Sequence, residues 1–174
     1  MDLPAPIAWL MDEACASAGP EVFLAELGGM LLADGLPLVG GALTLAVPHP
    51  IIARRTWLWR AESGAVIEAL SFASIDPVGQ GGGVELGKVG RDWLAGLGTG
   101  LVHEDVVGPA ADRRASGGPL LAWAISRPLG DGESTLLRQA ARFAAAPLAG
   151  LSSRGKSDNA HQARGQAGTG RNER

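Results

Sequence analysis

The chain has 174 residues, 46% of them apolar and 19% charged, which is enough apolar surface for one folded domain and too much for disorder throughout. A single Cys excludes a disulfide framework and a Cys-based zinc centre, and three His leave little for a His-rich one. A net charge of −3 at pH 7 argues against a dedicated nucleic-acid binder.

In chain order, Ile7 to Ala18 reads as a short helix, with Pro4 and Pro6 before it and Gly19 after it. Pro20 to Gly35 reads as a second helix: Pro20 suits the first helical position, Glu21 the positive end of the dipole, and Gly35 the C-terminal cap. Leu24, Leu27 and Leu31 form its apolar stripe, flanked by Phe23 and Met30. Leu43 to Val47, Thr56 to Arg60 and Val66 to Phe72 alternate as three strands joined by short turns at Pro48-His49-Pro50 and Ser63-Gly64. A short helix is expected around Trp93 within Lys88 to Leu97, and a short strand at Leu101–Val102. Leu120 to Ile125 is a strand with Leu121, Trp123 and Ile125 on one face. Asp131 is expected to cap a last helix, Gly132 to about Ala146, with the stripe Leu136, Leu137, Ala140, Phe143 and Ala144; Pro147 should end or kink it. This order predicts an α+β fold: an antiparallel sheet with helices packed on one side, a single domain over residues 1–151.

Residues 152–174 contain no Leu, Ile, Val or aromatic side chain and are expected to be a disordered polar tail. They hold five basic and two acidic residues, against ten basic and sixteen acidic in the body. The longest charge-free run, Gly35 to Ala53, contains Pro37, Pro48 and Pro50 and cannot stay helical across a bilayer. The N-terminus begins with Asp2, and its apolar stretch stops at Asp12-Glu13, unlike an export signal. A cytoplasmic protein without membrane insertion or nucleic-acid partner is expected.

Chemistry-bearing motifs are weak. Gly82 to Val89 matches G-x-x-x-x-G-K, but Val89 offers no hydroxyl to Mg²⁺ and Glu85 would put a negative charge in a phosphate cradle. His103-Glu104-Asp105 reads as an exposed polar loop, since adjacent residues do not readily converge on one ion. Cys15 reads as a small buried apolar residue. No G-x-S-x-G elbow is present. No catalytic residue, metal ligand or cofactor is therefore assigned.

Two groups of residues are candidates for binding. Trp57, Trp59 and Trp123, with His49 at the rim, either fill the core or line a ligand pocket on the sheet. Leu24, Leu27, Gly28, Gly29 and Leu31 of the second helix, with Leu137, Ala140 and Ala144 of the last, offer apolar faces either to their own sheet or to a partner. Gly28-Gly29 would permit close approach of either one.

Four phrases carry a resemblance: Leu32-Ala33-Asp34-Gly35-Leu36-Pro37-Leu38, Leu43-Thr44-Leu45, His49-Pro50 and Trp57-Leu58-Trp59-Arg60. Together they resemble the region upstream of the catalytic domain in bacterial class III adenylate/guanylate cyclases, over about residues 20–62. The stretch from Leu120 to Leu151 is similar to the end of a GAF-like sensory domain. The resemblance implies a GAF-like regulatory module, not a catalyst. Phe72-Ala73-Ser74-Ile75-Asp76 faintly echoes the first cyclase metal motif, but Pro77 follows and no second motif is present.

The expected function is thus a non-catalytic sensory, regulatory or protein-interaction module, working as a homodimer or with a signalling partner such as a cyclase. The alternative is a small-molecule-binding protein or small enzyme that uses a Trp-lined pocket.

Overall fold

The computed structural model describes residues 3–47, 49, 51–72, 88–98, 100–108 and 118–151. Five strands form one fully antiparallel sheet: β1 (Leu38–Ala46), β2 (Ile52–Arg60), β3 (Val66–Phe72), β4 (Val102–Val106) and β5 (Leu120–Ile125). Their order across the sheet is β3-β2-β1-β5-β4. β1 lies at the centre, with Leu43 opposite both Trp57 of β2 and Leu121 of β5. Among the described residues the outer strands of the sheet are β3 and β4.

One face of this sheet carries most of the core. Leu43, Leu45, Trp57, Trp59, Leu121, Trp123 and Ile125 point into it, as alternation along a strand requires. Helices α1 (Ala5–Asp12), α2 (Pro20–Ala33), α4 (Asp131–Phe143) and α5 (145–151) cover that face. α2 ends as its sequence implies. Gly35 adopts φ +92°, its N–H bonds to the Leu32 carbonyl, and the Leu36 N–H bonds to that of Leu31, so two carbonyls at the helix end find donors.

The fold is α+β with an antiparallel sheet, as expected, but the helices are not all on one side. α3 (Lys88–Ala95) packs on the opposite face. There Leu94 joins Ala42, Leu58, Ala122 and Ala124 in a second, smaller core. Small residues make this possible. The β-carbon position of Gly90 is 3.0 Å from Ala42 Cβ, and a Cβ on Gly40 would come within 2.6 Å of Leu97. The helix thus lies directly on the strands.

Other departures from the expected elements have local causes. β1 begins at Leu38, ahead of the expected alternation of Leu43, Leu45 and Val47 with Ala42, Thr44 and Ala46, because Gly40 and Gly41 are strand residues whose missing side chains admit neighbours. The first helix starts at Ala5, with Pro6 in its first turn, and gives way to a 3₁₀ turn, Ala14–Ala16. That turn buries Ala14 and leaves Cys15 exposed, correcting its expected burial. His103-Glu104-Asp105 is not a loop but the middle of β4, paired on one side only. Gly130, not Asp131, is the N-cap of α4. Pro147 breaks the C-terminal helix as expected: it has no N–H for the Phe143 carbonyl, α4 ends at Phe143, the chain turns at Ala144, and α5 takes Pro147 into its first turn. The segment 82–87 of the G-x-x-x-x-G-K phrase, Ala73 to Pro77 of the faint metal motif, and the tail 152–174 lie outside the described residues.

Candidate interaction site

β3 is the strand whose local sequence and position disagree. Its residues, Val-Ile-Glu-Ala-Leu-Ser-Phe, are apolar on both faces, a composition suited to burial. Yet it is an edge strand, hydrogen-bonded among the described residues to β2 alone. Ile67 is therefore 58% exposed, Leu70 44% and Phe72 64%. Ile51, next in sequence to Ile52, the strand partner of Phe72, is exposed too. The row of N–H and C=O groups along the outer side of β3 has no partner strand among the described residues.

The single charge on β3 is already engaged. Glu68 accepts a hydrogen bond from Arg55 Nε on β2, and the Arg55 guanidinium lies 5.1 Å from the Trp57 ring centre. The bond to Glu68, assisted by the charges of Glu68 and Glu21, raises the Arg55 pKa against the opposing effect of burial. β3 itself is thus apolar with its one charge paired, and it keeps its geometry through a cross-strand pair.

The residues first marked for ligand binding are not brought together as a pocket. Trp57, Trp59 and Trp123 are buried in the main core. Trp59 and Trp123 meet edge to face, with ring centres 6.3 Å apart. A Cβ on Gly41 would fall 2.6 Å from the Trp123 ring and one on Gly28 2.6 Å from the Trp59 ring, so both rings are close-packed against backbone. His49 is exposed at the β1–β2 turn, where its Nδ1 accepts hydrogen bonds from the N–H groups of Ile51 (3.2 Å) and Ile52 (3.1 Å). It organises the turn. Trp59 lies seven residues along β2 from Ile52, roughly 23 Å away at the strand rise.

The helix faces first marked for a partner are likewise used within the chain. Leu24, Leu27, Leu31, Leu137, Ala140 and Ala144 are all buried in the main core, and Gly28 faces Trp59. Of that set only Gly29 is exposed, with nothing within 4 Å of its β-carbon position.

Polar groups elsewhere pair off. His103 Nε2 and Asp105 Oδ2 are 2.7 Å apart on one face of β4, while Glu104 on the other face accepts from Arg91 Nε (2.6 Å) and Nη2 (2.8 Å) of α3. The three adjacent side chains therefore do not converge. Thr44 and Thr56 share a buried hydroxyl–hydroxyl bond of 3.0 Å beneath α3. Arg54 is 6% exposed, its Nη1 has no hydrogen-bond partner among the described residues, and burial lowers its pKa. An open cleft of about 600 Å³ lies between the starts of α1 and α4 and the end of α2, with Asp34, Asp131 and Glu133 around Leu36 and Leu136. No Trp borders this cleft. Among the described residues, no helix is long and apolar enough to cross a membrane.

The fold is thus a five-stranded antiparallel sheet between a four-helix layer and one short helix, and its most exposed apolar element is a strand edge. Comparison with protein-family models, curated proteins and solved structures finds no match for this chain. The edge residues Ile67, Leu70 and Phe72 escaped sequence reasoning as a site. Their signal was a strand apolar on both faces with one charge; its place at the edge was not visible.

Proposed function

We propose that this chain is a non-catalytic regulatory or protein-interaction module of the cytoplasm, related to the N-terminal region of bacterial class III cyclases, and that it engages its partner through the free edge of β3. The observation that carries this reading is the exposure of Ile67, Leu70 and Phe72 on a strand whose outer side has no partner strand among the described residues. The edge offers main-chain hydrogen bonds for affinity and apolar side chains on both faces for selectivity. The residues of the cyclase-like phrases support the family relation. Their described residues fall on the end of α2, on β1, at His49 and on β2, elements that follow one another along the chain.

The packing of Trp57, Trp59 and Trp123 into the core supports a binding module over a small-molecule protein with a Trp-lined pocket. Selection from a random extended-peptide library on the immobilised chain tests the proposal. Enriched peptides should carry apolar residues on both faces, lack Pro, and lose binding to Ile67→Lys and Phe72→Lys chains. No enrichment, or binding indifferent to both substitutions, overturns the docking edge. Cyclic nucleotide formed from ATP or GTP with Mg²⁺ or Mn²⁺, in proportion to protein and surviving repurification, overturns the non-catalytic reading.

A further inference from the structure

We infer that the partner at the β3 edge is a second copy of this chain: two β3 strands pair antiparallel about a two-fold axis at Ala69, and two five-stranded sheets become one of ten strands. This rests on the reading of β3 as the docking edge.

The two sheet edges differ in how they meet solvent. β4 is five residues long, and three of them are His103, Glu104 and Asp105. Short length and charge are the usual protection of an edge against pairing. β3 has seven residues, no Pro, no Lys or Arg, and its register shift against β2 lies between Ile52 and Arg54 on the neighbouring strand. Its one charge, Glu68, is held by Arg55 of the same chain. Nothing on β3 repels an approaching strand.

The identity of that strand follows from symmetry and charge. In an antiparallel pair, directly opposed residues share a face of the sheet. A two-fold axis through Ala69, perpendicular to the sheet, pairs residues of like parity, so the core face of one copy continues into the core face of the other. All seven residues are then used: Val66 opposes Phe72, Ile67 opposes Ser71, Glu68 opposes Leu70, and Ala69 opposes itself. Glu68 does not face its own copy, which avoids the penalty for like charges directly opposite. The smallest apolar side chain of the strand sits on the axis, where two copies must fit face to face. Exposed Phe72 of one copy comes beside half-buried Val66 of the other, extending the apolar layer that Trp57 and Trp59 begin. A strand able to complete this edge needs apolar residues on both faces and no unneutralised charge near its centre, and β3 itself meets that description.

Sedimentation of the full chain up to about 100 μM should show a reversible dimer. Ile67→Lys and Phe72→Lys alter side chains that are mostly exposed, so the fold should persist by circular dichroism while the dimer dissociation constant rises at least about tenfold. The register has its own readout. In a Cys15→Ser background, Ala69→Cys should cross-link to its own copy with a short bifunctional thiol reagent. Val66→Cys should not, because its copies are about 20 Å apart, yet it should cross-link when mixed with Phe72→Cys. A monomer throughout this range overturns the inference, as does a dimer that survives both Lys substitutions or cross-links through Glu104→Cys on β4 instead. If the chain stays monomeric while peptides still bind β3, the docking edge stands and its occupant is another protein. If neither occurs, both fail.

Discussion

The ring of Trp59 on β2 lies against the backbone of Gly28 on α2, so closely that a β-carbon at Gly28 would stand 2.6 Å from it. One helix turn position is thus given up to an indole. Gly29, next along the chain, has open space at its own β-carbon position. Two adjacent glycines in one helix therefore have different physical roles.

The contrast is measurable. Gly28→Ala should destabilise the chain by about 1–3 kcal/mol, because the new methyl overpacks the core against Trp59. Gly29→Ala should instead stabilise it by about 0.5–1 kcal/mol, since alanine favours helix and meets nothing. Urea denaturation of both variants checks the sign of each.

The buried Thr44–Thr56 pair predicts non-additive behaviour. Thr56→Val leaves the Thr44 hydroxyl buried without its partner and should cost about 1–3 kcal/mol. Replacing both by Val removes the polar demand altogether and should cost less than the single change. A double-mutant cycle measures the coupling.

Arg54 presents the opposite case. The residue is buried, and among the described residues Nη1 has no hydrogen-bond partner. Arg54→Met keeps most of the side-chain volume and removes the buried charge, so the melting temperature should hold or rise. A drop of several degrees would show that the charge is held by an attraction stronger than its desolvation cost.

Acid should weaken the start of α4 in a defined way. Glu133 accepts hydrogen bonds from Arg127 Nη1 (2.9 Å) and Nη2 (2.7 Å) and from the Gly130 N–H (2.8 Å). Arg127 first, then Gly130, lowers its pKa from 4.5 to about 2. A folded-state pKa below the unfolded one contributes stability that is fully present above the unfolded value and is lost as pH falls through the folded value. The contribution of Glu133 should therefore fade between about pH 5 and pH 2. In Glu133→Gln the melting temperature should vary less across that window, and in Arg127→Ala the Glu133 carboxyl should titrate higher by NMR.

Several elements were legible in local sequence. Pro20, Glu21 and Gly35 marked the ends of α2, and alternation over Val66 to Phe72 gave the bounds of β3 correctly. Leu120 to Ile125 showed itself as a strand in the same way. The short strand expected at Leu101–Val102 caught only the first residue of β4; the rest was missed because His103-Glu104-Asp105 looks like solvated loop, and its strand geometry comes from pairing with β5. The first half of β1 was missed because Gly40 and Gly41 have poor strand propensity, and their reason for being there is the contact with Leu97 and Trp123.

The candidate site divides along the same line. Local sequence determined that Trp57, Trp59 and Trp123 lie on sheet faces, that the leucines of α2 form one stripe, and that β3 is apolar on both sides. These are properties of period and composition, carried by neighbours a few residues apart. Only the tertiary structure decided that the three indoles are closed over by helices, that α3 covers the second face, and that β3 rather than β1 stands at the edge. Each of those outcomes depends on which distant segments pair, and strand order places β1 between β2 and β5, from opposite ends of the chain, while leaving β3 with one neighbour. Alternation of side chains is the same in a central strand and an edge strand, so exposure of Ile67, Leu70 and Phe72 arises from long-range pairing that no local pattern records.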